Sequence, residues 1–340
     1  MISVKTLFIK IKKRIDAFLS RRPHRSFRRT RRRDYKRPLG LPGYFKFSKY
    51  VRQTVWKNRK IFLVLALVYA IITVLAVGLA SQDTYSTLTS TLNTTSGDAL
   101  TGFWGTIGKA GLLFVSTATG SLNESLSSSQ AICAGLILML TWLTTVWLLR
   151  NILAGHKVKV RDGIYSSGAP ILSTFIIVIL ILVQMLPFAL ALIGYGAAST
   201  TGLLTAGGVE SMLFWFAAAL LTVLSLYWMT STVFALIIVT LPGMYPYRAI
   251  KAGGDLVVGR RLKLLLRLLW MVLGVALSWA IVMIPMILFD GWLKSIWTAI
   301  ASVPIIPVTL LVLSSLTIIW ASSYIYLLYR KVIADESSPA

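Results

Sequence analysis

Side chains able to do acid–base, nucleophilic or metal chemistry are scarce in this chain of 340 residues. The histidines are His24 and His156, and the single cysteine is Cys133. One cysteine allows no disulfide within the chain and no Cys-based metal site, so Cys133 reads as a small packed side chain in an apolar run. No HExxH pattern pairs two imidazoles on a helix face, and no GxSxG places a serine on a strand-to-helix elbow. No lysine follows a glycine-rich loop, and Gly253, Gly254 and Gly259 lack the spacing of a nucleotide fingerprint. Neither a catalytic site nor a cofactor or metal site is expected, and the chain reads as non-enzymatic.

Positive charge, by contrast, is abundant. The net charge is +24, and residues 1–60 hold 21 Lys and Arg against Asp16 and Asp34. The densest stretch is Arg25, Arg28, Arg29, Arg31, Arg32, Arg33, Lys36 and Arg37, interrupted by Asp34. Guanidinium groups present a planar fork of donors that matches phosphate oxygens, so this run is a candidate grip on anionic lipid headgroups. Nucleic acid, which presents the same phosphates, is the weaker alternative. Val4, Leu7, Phe8, Ile11, Ile15, Phe18 and Leu19 recur at helical spacing ahead of the run, with Lys5, Lys10, Lys12, Lys13 and Arg14 on the other face. That pattern predicts a cationic amphipathic helix ended by Pro23. After the turn Leu39-Gly-Leu-Pro-Gly43, a second interfacial helix is predicted from Tyr44, Phe45, Phe47, Tyr50, Val51, Val55 and Trp56 mixed with Lys46, Lys49, Arg52 and Lys57. Two apolar faces and a basic run meet the two-signal condition for stable attachment to a membrane surface. No apolar h-region follows Met1 within the first 30 residues, so a cleavable signal peptide is not expected.

The arm must be carried by an apolar body. The chain is 56% hydrophobic and 14% charged, with a mean hydropathy of +0.75. Six runs have the length of membrane spans: Ile61–Ala80, Ala131–Leu149, Pro170–Gly194, Met212–Leu241, Leu264–Phe289 and Val303–Leu328. A break at Trp228-Met-Thr-Ser-Thr would split the fourth run and give seven. Arg267, at the start of the fifth, is placed to snorkel to the headgroups. The fold class is therefore all-α, a polytopic helical bundle of about six transmembrane helices, built from a basic arm at 1–60, a membrane domain at 61–330 and a short tail at 331–340.

Orientation follows from the connections. After residue 60 there are 14 Lys and Arg; all but Lys109 and Lys294 fall on the side of the arm. The positive-inside rule puts that side, and both termini, in the cytoplasm. The opposite loop, 81–130, is rich in Ser and Thr. Within it, Ala99–Val115 carries Leu100, Phe103, Trp104, Ile107, Leu112 and Phe114, the pattern of a short interfacial helix or a re-entrant segment, the first being favoured.

Inside the spans the polar residues are mild. Gln184, close to Pro187, is the main intramembrane polar candidate, because an amide in hydrocarbon needs a partner. Thr230, Ser231, Thr232, Ser278, Ser314, Ser315 and Thr317 complete the set. They read chiefly as helix-packing residues. A small-molecule or lipid transporter with a central cavity lined by Gln184 and the serines of spans five and six is the alternative.

Two connections on the basic side carry a pattern. The fourth span is followed by Tyr245-Pro-Tyr-Arg-Ala-Ile-Lys-Ala-Gly-Gly-Asp-Leu-Val-Val-Gly-Arg-Arg-Leu-Lys, and the second by Leu153-Ala-Gly-His-Lys-Val-Lys-Val-Arg-Asp-Gly-Ile-Tyr. Over about residues 130–330 this resembles the membrane domain of bacterial glycerophosphoryl diester phosphodiesterases and, equally, the uncharacterised YciC-like membrane proteins. The resemblance implies a six-span domain of a bacterial plasma (inner) membrane without a catalytic site of its own. It implies no catalytic residue here. The two connections also resemble each other. Aligning Arg161–Gly168 with Tyr247–Gly254 sets Ile164 opposite Ile250 and Gly168 opposite Gly254, which would be a repeated unit of short helix plus span. The resulting reading is a membrane-organising or accessory protein whose partners are membrane lipids, anionic ones foremost. An RNA- or ribosome-tethering anchor is the third reading, and the sequence sets no oligomeric state.

Overall fold

The computed structural model describes residues 40–96, 102–118, 126–202, 204, 208–297 and 302–337. Among these there are eleven helices and no strand. They are α1 (Tyr44–Lys57), α2 (Arg59–Ala76), α3 (Gln82–Ser96), α4 (Gly102–Ala118), α5 (Ser128–Leu153), α6 (Val160–Ser167), α7 (Ile171–Thr200), α8 (Val209–Ile238), α9 (Pro246–Val257), α10 (Arg261–Ile296) and α11 (Ile305–Ser337). Six of them, α2, α5, α7, α8, α10 and α11, are long and apolar enough to cross a membrane, a multi-pass membrane architecture. They coincide with the six apolar runs. At 1.5 Å per residue, the 30 residues of α7 reach about 45 Å, more than the hydrocarbon thickness of about 30 Å, so its ends emerge into the interfaces.

The fourth run does not break. Thr230 and Thr232 turn their hydroxyls back onto the carbonyls of Leu226 (2.6 Å) and Trp228 (3.4 Å), which leaves no hydroxyl of that pair unsatisfied inside a continuous α8. Helix signals elsewhere are local. Ser127 caps α5 and forms a reciprocal capping box with Gln130, whose Nε2 also donates to the Val77 carbonyl (3.1 Å) and so ties the end of α2 to the start of α5. Gly155 after α5 and Gly243 after α8 have φ of +86° and +74°, a left-handed turn that a side chain would oppose.

The spans alternate in direction, so the start of α1 and α2, both short helices α6 and α9, and the end of α11 meet at one end. We call it the basic end. Most of the tightly packed core lies there. Phe62, Leu65 and Tyr69 of α2 join Val146, Leu148 and Leu149 of α5, Phe234, Ile237 and Ile238 of α8, Leu264 of α10, and Tyr324, Leu327 and Leu328 of α11 in one buried cluster. Hydroxyls cross-link the same half. The Tyr69 hydroxyl lies 2.8 Å from Thr144 Oγ1, which donates to Ser167 Oγ at 3.0 Å, joining α2, α5 and α6. At the far end a smaller cluster gathers Tyr85, Ala110, Leu113, Met283, Ile287 and Ile306 from α3, α4, α10 and α11. The far halves of α7 and α8 present Leu190, Ile193, Met212, Leu213 and Phe216 outward, an apolar surface suited to lipid.

α6 and α9 each fold back on the span that precedes them, α5 and α8. Their burial follows the register read from the sequence. Gly163 and Ala249 are both buried, as are Ser167 and Gly253, whereas Arg161 and Tyr247, and Tyr165 and Lys251, are exposed. α1 packs in the same way on α11.

Candidate functional site

The arginine run Arg25, Arg28, Arg29, Arg31, Arg32, Arg33, Lys36 and Arg37, and the amphipathic stretch before it, lie outside the described residues. What is described is where the arm joins the bundle. α1 forms as the spacing of its aromatic residues predicts, but its inner face is covered by protein rather than lipid. Phe47 and Val51 are fully buried. The Phe47 ring meets Tyr324 edge-on at 4.9 Å, and Trp270 of α10 sits 5.7 Å from Tyr44 and 4.9 Å from Phe45. Trp270 Nε1 donates to Ser48 Oγ at 3.2 Å.

Arg267 completes this joint and corrects the sequence expectation. It does not snorkel outward; it is 7% exposed, with its Nη2 donating to the Pro42 carbonyl and its guanidinium 4.5 Å above the Tyr44 ring. α10 begins at Arg261, so Arg267 lies in the second turn, where α1 covers it. A desolvated guanidinium over an aromatic face is worth about 2 kcal/mol. The arginine thus serves as a latch between α1 and the bundle.

Several other cations of the basic end are also spent within the fold. Arg150 forks onto Thr240, Nη1 to the carbonyl at 2.9 Å and Nη2 to Oγ1 at 2.5 Å, and so places positive charge at the C-terminus of α8. Arg260 is buried, with Nε donating to the Leu256 carbonyl at 3.1 Å, and Arg261 stacks 3.9 Å from the Tyr227 ring. Exposed cations remain on several segments at that end: Lys46, Lys49 and Arg52 on α1; Lys157, Lys159 and Arg161; Arg248 and Lys251 on α9; Lys263; and Arg330 and Lys331. The described acids among them are few. Asp162 accepts from the Lys159 backbone N–H at 3.3 Å as an N-terminal cap, and Asp255 lies on α9. Trp56 and Phe45 stand out beside the α1 lysines, 66% and 78% exposed. Amphipathic rings among lysines and arginines at the ends of spans form the kind of belt that sits at headgroup level.

Between the end of α1, the start of α2 and the segment 152–158 lies a crevice of about 550 Å³ containing Lys57, His156 and Lys157. Sequence reasoning did not single it out, because its three basic side chains come from segments about a hundred residues apart.

Gln184 is placed differently from the transporter reading. Its backbone carbonyl accepts from Ser225 Oγ of α8, and its side-chain Oε1 is buried without a hydrogen-bond partner. α7 packs chiefly on α8. The polar residues of spans five and six are not gathered around it. Ser278 is exposed, Ser314 and Ser315 bond back to the Leu311 carbonyl, and Trp279 Nε1 donates to Thr317 Oγ1 at 2.7 Å across α10 and α11. Of these, the Trp279–Thr317 bond is the one that joins two helices.

At the far end Asp290 is buried and pairs with Lys294 at 3.0 Å. Burial, and secondarily the Asp290 charge, push the Tyr85 phenol up to about 12. Among the described residues no His, Cys, Asp and Glu gather in a group able to hold a metal ion. Comparison with family models, with curated proteins and with solved structures finds no match to this chain.

Proposed function

We propose that this chain is a non-enzymatic, multi-pass protein of the bacterial plasma membrane, with the basic end and the N-terminal arm on the cytoplasmic side, and that it organises or serves that membrane by holding anionic lipid. One observation carries the reading. α1, rich in exposed lysine and aromatic residues, is latched onto the most tightly packed end of the bundle, and exposed cations from four further segments lie at the same end. Arg37 precedes Tyr44 by seven residues, which span at most about 25 Å, so the last arginine of the run is tethered within that distance of α1. Each Lys or Arg near an anionic leaflet contributes about 1 kcal/mol, with screening limiting the sum.

The test uses the full chain in nanodiscs of phosphatidylcholine alone or with phosphatidylglycerol, exposed to trypsin. Cleavage after Arg25, Arg28, Arg29 and Arg31 should slow in the anionic discs and recover at high salt. Equal cleavage rates in the two discs would overturn the proposal. So would protection of the arm by added RNA with none from anionic lipid.

A further inference from the structure

The crevice beside α1 has the features of a discrete ligand site, and we infer that it binds the phosphate headgroup of one anionic glycerophospholipid. This rests on the reading of the basic end as a lipid-facing surface, and sharpens it from a diffuse charge attraction to a stoichiometric site.

Charge comes first. Lys57, His156 and Lys157 line the crevice, and no Asp or Glu is among its lining residues. Two helices, α1 and α5, end there and α2 starts there, so the three termini together add about half a negative charge. The two lysines exceed that, so the site carries net positive charge. Rigidity is second. Segment 152–158 is not a loose loop: Ala154 N donates to the Arg150 carbonyl (3.1 Å), Gly155 N to Ile152 (3.1 Å) and His156 N to Asn151 (3.0 Å), with Gly155 supplying the left-handed turn. The opposite wall, at Tyr50 and Lys57, belongs to α1, which Phe47 and Arg267 hold in place. The cations are therefore presented by anchored backbone, which lowers the ordering cost of binding.

Depth and size choose among phosphate compounds. Ile61, in the crevice wall, opens the first apolar run, and Ile152, also in the wall, lies three residues past the end of the second. The crevice thus sits where two spans leave the hydrocarbon, the level of a lipid phosphate. About 550 Å³ is far more than a bare phosphate fills and falls within the usual range for organic ligands. A phosphate diester with a small polar head uses the lysines, while its glycerol and first methylenes lie along Ile61 and Ile152. The acyl chains then stay in the bilayer.

The experiment is native mass spectrometry of the full chain in mild detergent, titrated with phosphatidylglycerol, phosphatidylcholine or inorganic phosphate. Two double variants each remove two charges: Lys57→Gln/Lys157→Gln in the crevice, and Lys251→Gln/Lys263→Gln elsewhere on the same end. The wild-type chain should bind one phosphatidylglycerol in preference to phosphatidylcholine, and inorganic phosphate should compete poorly. The crevice double should weaken that binding about tenfold or more, and the control double should leave it close to wild type. Equal losses in both doubles would overturn the discrete site and leave the broader lipid reading standing. No preference for phosphatidylglycerol in the wild type would overturn both. Full competition by inorganic phosphate would overturn the lipid as ligand. Should the crevice double not fold, a photoactivatable phosphatidylglycerol cross-linked to the wild-type chain decides: label on residues 50–61 or 150–158 supports the site, and label confined to other segments overturns it.

Discussion

Gly253 and Gly254 are adjacent in sequence and opposite in consequence. A Cβ on Gly253 would stand 2.8 Å from the Ser231 carbonyl oxygen and 3.2 Å from the Ala235 nitrogen, both backbone atoms of α8 that cannot turn aside. A Cβ on Gly254 would meet nothing within 4 Å. Gly253→Ala should therefore destabilise the protein by about 1–3 kcal/mol, the cost of overpacking, and lower its Tm in detergent. Gly254→Ala should be neutral or raise Tm, since alanine is favoured over glycine in a helix by about 0.8–1 kcal/mol. Equal Tm values for the two variants would refute the assignment. The sequence did contain this signal. Ala249, Gly253 and Leu256 fall on one helix face at spacings of four and three, which marks Gly253 as the residue facing α8. Neither the spacing of a nucleotide fingerprint nor the alignment of Gly168 with Gly254 depends on which face a glycine occupies. Gln184 was legible as an unusual amide; its position against α8, away from the serines of α10 and α11, depends on which spans are neighbours, and hydropathy carries no such information.

Among the elements, the six spans and α1 were plain in the sequence because apolar length and helical spacing signal them directly. α3 was not. Its run Gln82–Ser96 is dominated by Ser and Thr, which compete with helix by bonding locally to the backbone. Here the same hydroxyls bond within the helix: Ser86 and Thr87 to the Asp83 carbonyl at 2.8 and 2.9 Å, and Thr89 to Tyr85 at 2.9 Å. α4 was expected at Ala99–Val115 and is found at Gly102–Ala118, where Ala110 and Leu113 pack beside Met283 and Ile287 of α10. What spacing could not settle for α1 is whether its apolar face meets lipid or protein, since both are apolar. That face makes a testable joint. Phe47→Ala removes a fully buried ring that contacts Tyr324, at a cost of about 3–5 kcal/mol. The ring is the point at which α1 joins the buried cluster of the basic end, so the loss should fall first on α1. Trypsin should then cut faster after Lys46, Lys49 and Arg52 while the spans stay intact, and Trp56→Ala, at a position 66% exposed, should leave cleavage unchanged. Accelerated cleavage in neither variant would show that α1 is held by other contacts.

At the scale of the whole molecule, packing and charge coincide. The larger buried cluster and most of the cations share one end of the bundle, while the far halves of α7 and α8 are dressed for lipid. Two physical causes act there together. Short helices α1, α6 and α9 add a second layer of protein around the ends of the spans, and that layer must lie outside the hydrocarbon, where its lysines and arginines stay hydrated. In the proposed orientation, retention of positive loops on the cytoplasmic side is what sets the direction of the whole bundle. The orientation can be read with two exposed positions at opposite ends, Tyr247 at 78% and Val209 at 81% exposure. In a Cys133→Ser background, Tyr247→Cys should resist a membrane-impermeant maleimide in intact cells and react after lysis, and Val209→Cys should react in intact cells. Both substitutions sit where no packing is lost, so a difference in labelling reports sidedness rather than folding. The reverse pattern would place the cations outside, and with them the arm, α1 and the crevice. It would remove the cytoplasmic leaflet, the more anionic face, as the ligand source on which the lipid reading depends.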